Sequence, residues 1–164
     1  MTGPDLIVYE DEFRRVSAEL QQLHQKTNAV VAFLVDKNGQ LIASAGDTQS
    51  LDTTSLASLT AGNIAATGGI AKLLGEKEFS VLFHEGEKDN IHISLIGNRV
   101  ILVVIFDERS SIGLVRLRVR KATESFTAIF DEIARKADKE KTERKTEESP
   151  FFEISEEDID RLFR

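Results

Sequence analysis

The chain has 164 residues, 28 acidic against 21 basic side chains, a formal charge of −7 and no cysteine. That length fits one ordinary domain with a tail. The acidic balance argues against nucleic acid, which rewards a basic surface, and the missing thiols remove disulfide frameworks and thiolate metal sites.

The opening MTGPDLIVYEDEF meets acid at once, so no secretory leader is expected and a cytoplasmic protein is the default. Tyr9, Phe13, Val16, Leu20 and Leu23 recur at alternating steps of four and three, which predicts an amphipathic helix over about 7–26. Val30–Val35 and Gln40–Ala45 are apolar β-type runs on either side of a turn. Within that turn, Asn38-Gly39 is the strongest short hairpin signal, because both residues tolerate positive φ.

Residues 52–72, DTTSLASLTAGNIAATGGIAK, carry no charge between Asp52 and Lys72. Asp52 or Thr53 supplies an N-cap, and Gly75 a left-handed stop. At helical spacing Leu56, Leu59, Ile70, Leu73 and Leu74 fall on one side, and Ala57, Ser58, Ala61, Gly62, Ala65, Gly68 and Gly69 on the other. A solvated helix face carries Lys and Glu. This one carries Ala, Gly and Ser, and each interior glycine costs about 1 kcal/mol relative to Ala. The expected arrangement sets the leucine side on the protein's own sheet and the small-residue side against something outside the protomer. A core helix buried all round by tight neighbours is the competing reading. A membrane span is poorly served, since seven of the nineteen residues 53–71 are Ser, Thr or Asn.

Three further strands follow at Phe79–His84, Ile91–Ile96 and Val100–Phe106. The last, VILVVIF, is apolar throughout, so it needs cover on both faces and therefore helices on both sides of the sheet. Val115, Val119, Ala122, Phe126, Ile129, Phe130 and Ile133 predict a third helix over about 111–137. The order is α-β-β-α-β-β-β-α, with strand-to-strand links short enough for antiparallel hairpins. The fold class is α/β (α+β): a three-layer α/β/α sandwich on a five-stranded antiparallel sheet. This domain occupies 1–137.

Residues 138–149, DKEKTERKTEES, have no apolar side chain and read as a flexible charged linker. Within 150–164, Ser155 and Asp158 fit a capping box with Ile154 and Ile159 as a hydrophobic staple. Ile159, Leu162 and Phe163 share one face, and Phe151 and Phe152 precede it. A helix this short is marginal alone, so the segment reads as an amphipathic docking element. Folding back on its own domain or on a dimer mate is the competing reading.

No phosphate loop, dinucleotide fingerprint or nucleophile elbow is present. His84 and His92 approach across the third hairpin without an evident third ligand, so they read as solvent-facing strand residues. No acid–base pair stands out. Hence no catalytic residue, metal or cofactor is expected. The basic run Arg116–Lys121, RLRVRK, reads as a solvated helix face before an anion or membrane site. Arg99 and Arg109 lie in a turn and a loop. A guanidinium there has the chemistry of an arginine finger, although a loop arginine is ordinarily a surface residue.

FLVDKNGQLIASAG followed by DTTSLASLTAGNIAATGGIAKLLG, in this element order, resembles the Roadblock/LC7 family over about residues 6–137. VVIFDERSSIGLVRLRV and ISEEDIDRLF also resemble its bacterial members of cell polarity and motility. The resemblance implies a homodimer with the second helices side by side and the third strands paired across a two-fold. It implies a partner, a Ras-like small GTPase, whose GTP hydrolysis the dimer raises by positioning the GTPase's own arginine and glutamine. Partner contacts then fall on Ala57, Ser58, Ala61, Gly62, Ala65, Gly68, Gly69 and Lys72, with Phe151, Phe152, Ile159, Leu162 and Phe163 as a tethered second contact. It also implies concentration at a cell pole. The alternative is a dimeric scaffold that anchors a GTPase or another Roadblock chain without activating it. A small-molecule sensor is disfavoured, because no cluster of polar residues converges on a cavity.

Overall fold

Side-chain alternation along the strands and helical spacing between them sort this sequence into three layers. The structure, a computed structural model, describes residues 10–147. The elements are α1 (Glu10–Thr27), β1 (Val31–Asp36), β2 (Leu41–Gly46), α2 (Thr53–Leu74), β3 (Val81–Glu85), β4 (Asn90–Ile96), β5 (Val100–Phe106) and α3 (Ile112–Glu147). The strands form one antiparallel sheet in the order β2-β1-β5-β4-β3. The expected element order and fold class are therefore present.

The apolar run of β5 is buried from end to end beside β1, at the centre of the sheet. Ala32, Leu34, Leu102, Val104 and Phe106 face α1 and α3. There they meet Val16, Leu20 and Leu23 of α1, and Val115, Val119, Phe126 and Ile133 of α3. Val31, Phe33, Val35, Ile101, Val103 and Ile105 face the other way, toward α2. Every residue of a doubly covered strand thus enters one core or the other. Two ion pairs tie α1 to α3: Arg15 to Glu132, and Lys136 to Glu12. Glu12 is only 3% exposed, and the hydrogen bond from Lys136 holds its carboxyl below the ordinary range.

Two expectations need correction. α3 does not stop near residue 137 but continues to Glu147, so most of the expected linker is helical. The absence of apolar residues removes a core, not a helix. Lys, Glu and Arg are good helix formers, and Lys139–Glu143 and Glu140–Arg144 place opposite charges one turn apart. The β1–β2 turn is in the expected place, but only Gly39 has positive φ, at 87°. Asp36 organises it instead, its Oδ1 accepting the backbone N–H of Asn38 and of Gln40, both at 2.9 Å. Tyr9 and the whole 150–164 segment, with Phe151, Phe152, Ile159, Leu162 and Phe163, lie outside the described residues. Among the described residues no helix is long and apolar enough to cross a membrane.

Candidate functional site

α2 begins where Asp52 caps it: Asp52 Oδ1 accepts the Ser55 N–H at 3.1 Å, and Oδ2 the Ser55 hydroxyl at 2.6 Å. These bonds, the hydroxyl first, hold the Asp52 carboxyl below its ordinary range. The helix ends at Gly75, φ 76°, with the Glu76 N–H bonded to the Ala71 carbonyl at 2.9 Å. Both ends match the caps read from the sequence.

Between them the faces fall differently from expectation. Ala57 and Ala71 are fully buried and Thr60 nearly so, with Leu56, Ala61, Ile64 and Gly68 half-buried. That stripe, at steps of three and four, is the one laid on the sheet. Ala57 and Ala61 therefore point inward, contrary to their assignment to the outer face, and Gly68 lies half-buried along the same stripe without a neighbour at its Cβ position among the described residues. Near the first turn the β1–β2 turn comes close to this helix: a Cβ on Gly39 would lie 3.1 Å from the Ser58 Cα and 3.6 Å from the Ala61 Cβ. Ser58, Gly62, Ala65, Gly69 and Lys72 are exposed, as assigned. The larger correction concerns the leucine side. Leu59 is 72% exposed, Ile70 54%, Leu73 88% and Leu74 67%.

The two sides read from the sequence are thus neighbours, roughly 100° apart around the helix, and the sheet takes a third side. Asn63, on the leucine flank, reaches the edge strand β3, its Nδ2 lying 3.1 Å from His84 Nε2. The large apolar side chains therefore flank α2 toward β3. The small flank turns the other way, toward the Asn38–Gly39 turn. A helix uncharged all round as far as Lys72, with Ser, Thr and Asn spread among its apolar residues, gives no clear periodicity to choose between these rotations. The signal available was the competing stripe Ala57, Thr60, Ile64 and Ala71.

β3 closes one end of the sheet and leaves one edge unpaired among the described residues. The exposed α2 leucines make the α2 side of this edge unusually apolar for a surface, and exposed Val81 lies on the opposite, α3 side of the strand. Among the described residues, and apart from their own helix backbone, Gly62, Gly68 and Gly69 have no atom within 4 Å of a would-be Cβ. No contact among the described residues explains these three glycines.

Other candidates also move. His84 pairs in register with Ile91 and His92 with Phe83, so the two rings point to opposite faces of the sheet. His92 is buried beneath α3, not solvent-facing, because its position alternates onto the α3 side. Arg109 is clamped by Asp107, with Nε at 3.0 Å from Oδ1 and Nη2 at 3.1 Å from Oδ2. The basic run Arg116–Lys121 is not one solvated face. Arg116 and Arg120 turn toward β3 and β4, while Arg118 and Lys121 turn toward α1.

The Roadblock/LC7 domain model matches residues 16–106. Among solved structures, Myxococcus xanthus MglB is 59% identical, covering 78% of this chain and 96% of its own, at a TM-score of 0.74. The gliding protein MglB of Thermus thermophilus is 33% identical over 80% of this chain and 99% of its own, also at 0.74. An MglB in a tetrameric arrangement is 32% identical with the same coverage, at 0.75. A comparison with curated proteins gave no match. The chain belongs to the Roadblock/LC7 family.

Proposed function

We propose that this chain is an MglB-like homodimer that activates an MglA-like Ras-type small GTPase. The observation that carries this reading is the split outer surface of α2, beside the bare edge of β3. In the dimer, β3 pairs with its counterpart and Leu59, Ile70, Leu73 and Leu74 bury against the mate. The small flank, Ser58, Gly62, Ala65 and Gly69 with Lys72 at its margin, stays open and receives the switch regions of the GTPase.

Such a surface activates by geometry. Phosphoryl transfer depends mainly on positioning and on charges already present in the nucleotide site. A smooth ridge that fixes the switch loops places the GTPase's own arginine and glutamine without contributing a side chain. The Asp107 clamp on Arg109 supports this, because a finger arginine has to be free to leave its own loop. The 150–164 segment adds a tethered contact that raises effective concentration, carried on a helical stem as far as Glu147.

Single-turnover GTP hydrolysis by MglA, with and without this protein, is the test. Acceleration is expected. Binding without acceleration would instead leave a scaffold that anchors the GTPase. Gly69→Arg and Ala65→Arg enter open solvent, so both variants should stay folded and dimeric yet lose GTPase affinity in a fluorescent-nucleotide titration. Undiminished affinity in both would remove the small flank from the interface.

A further inference from the structure

Across the sheet from α2, where α3 leaves β3 and β4 partly uncovered, lies a cleft of about 620 Å³. That volume is within the ordinary range of small-molecule sites. Its floor is the α3-facing side of β4. The same face of β5 presents Val104 and Leu102, and their register partners on β4 are His92 and Ser94. The apolar core stops here and two polar side chains take its place.

Both are buried, at 2% and 5% exposure, and neither His92 Nδ1 nor Ser94 Oγ meets a hydrogen-bond partner among the described residues. An unmet buried polar group is costly to keep, so a pair of them calls for an occupant. Burial, then the nearby charge of Arg116, pushes the His92 imidazole pKa down. A neutral ring carries one N–H donor and one acceptor.

The wall opposite is α3. Arg116 and Arg120 line the cleft one helical turn apart, and neither forms an ion pair among the described residues. Thr123 also lines it, with its hydroxyl donated to the Val119 carbonyl at 2.7 Å. Glu124 supplies a single carboxylate at the same wall, and Val81 and Val119 supply apolar surface. Two guanidinium groups, a hydroxyl and an imidazole N–H form a donor set suited to an oxyanion.

We propose that this cleft binds a small phosphorylated molecule, its phosphate held by Arg116, Arg120, Ser94 and His92 and its organic part lying on Val81 and Val119. Glu124 accepts a hydroxyl of that organic part, which favours an ester over bare phosphate. The site faces away from α2 and does not depend on the GTPase reading, so either can fail alone.

The test uses the full chain and follows the imidazole ¹⁵N resonances of His92 by NMR, with His24 and His84 as internal references. Glycerol 3-phosphate is expected to shift His92 saturably. The double variant Arg116→Ala/Arg120→Ala, at exposed positions, should bind about tenfold more weakly or worse. Arg118→Ala, on the other flank of α3, should bind as the unmodified chain does. Cosedimentation with phosphatidylglycerol vesicles, lost in the same double variant, would identify a lipid headgroup as the source of the phosphate and would equally uphold the site. No saturable shift and no vesicle binding, or a response that survives in the double variant, overturns the proposal.

Discussion

The two faces of the sheet are covered to different degrees. On one, α1 and α3 lie side by side, bury Val16, Leu20, Leu23, Phe126 and Ile133, and are joined across their contact by Arg15–Glu132 and Glu12–Lys136. On the other, a single helix buries little more than Ala57, Thr60 and Ala71 and turns four large apolar side chains to solvent. The first face is a finished core. The second is half of one: Leu59, Ile70, Leu73 and Leu74 stay uncovered among the described residues, and the proposed dimer covers them. On the proposed reading the α2 face is the one that meets other proteins, while the α1/α3 face carries the larger core and, at its β3–β4 end, the cleft at His92.

The largest expected effect tests whether the finished face is a core. Phe126 is fully buried between α3 and the sheet, so Phe126→Ala should cost about 3–5 kcal/mol in urea unfolding. The matching change on the other face, Leu73→Ala, should cost an isolated protomer under about 0.5 kcal/mol. Equal losses would erase the distinction between the faces.

Next comes association. A carboxylate placed in the leucine flank has to be desolvated if that flank is an interface. Leu59→Asp should leave helix content by circular dichroism unchanged while light scattering reports a protomer. A dimer that persists with Leu59→Asp would move self-association elsewhere.

A smaller effect reports on the strut between α1 and α3. Lys136 holds the Glu12 pKa below the ordinary glutamate value near 4.5. A depressed carboxyl stabilises the fold fully above that value, and the stabilisation fades as pH falls through the lowered one. Lys136→Met should therefore lower the urea midpoint at pH 7, and the gap to the unmodified chain should narrow below pH about 4.5. A gap that does not change with pH would mean that the pair contributes through packing alone.

The strands were legible because alternation and an unbroken apolar run leave few choices: Val100–Phe106 lies where its hydrophobicity puts it, and its double cover demanded helices on both sides. The caps of α2 were legible for a similar reason, since Asp52 and Gly75 each answer a local backbone need. The rotation of α2 was not. A helix uncharged as far as Lys72, with Leu, Ile, Ala and Gly on several sides, satisfies several rotations equally, and the rotation adopted sets Ala57, Thr60 and Ala71 on the sheet. The length of α3 was hidden because charge without hydrophobicity reads as a linker, whereas charges spaced one turn apart support a helix. The cleft at His92 was illegible because alternation had to be combined with a pairing register and a helix crossing before the ring could be seen to point inward.

The smallest effect is also the most discriminating. Gly69 sits in the interior of α2, exposed, with no atom of the described residues outside its own helix backbone within 4 Å of a would-be Cβ. On intrinsic grounds alanine is better there by about 0.5–1 kcal/mol. If glycine served packing inside the protomer, Gly69→Ala would destabilise. If it keeps a place where another backbone approaches, the same change should stabilise the protomer and weaken the complex. Measured on the Leu59→Asp background, which takes dimerisation out of the unfolding equilibrium, Gly69→Ala should raise the urea midpoint. In the otherwise unmodified dimer it should lower GTPase affinity several-fold. A gain in stability with no loss of affinity would leave the glycine without a role at the small flank, and the GTPase would have to engage the dimer elsewhere. Opposite signs in the two measurements are the signature of a residue whose contact lies outside its own chain.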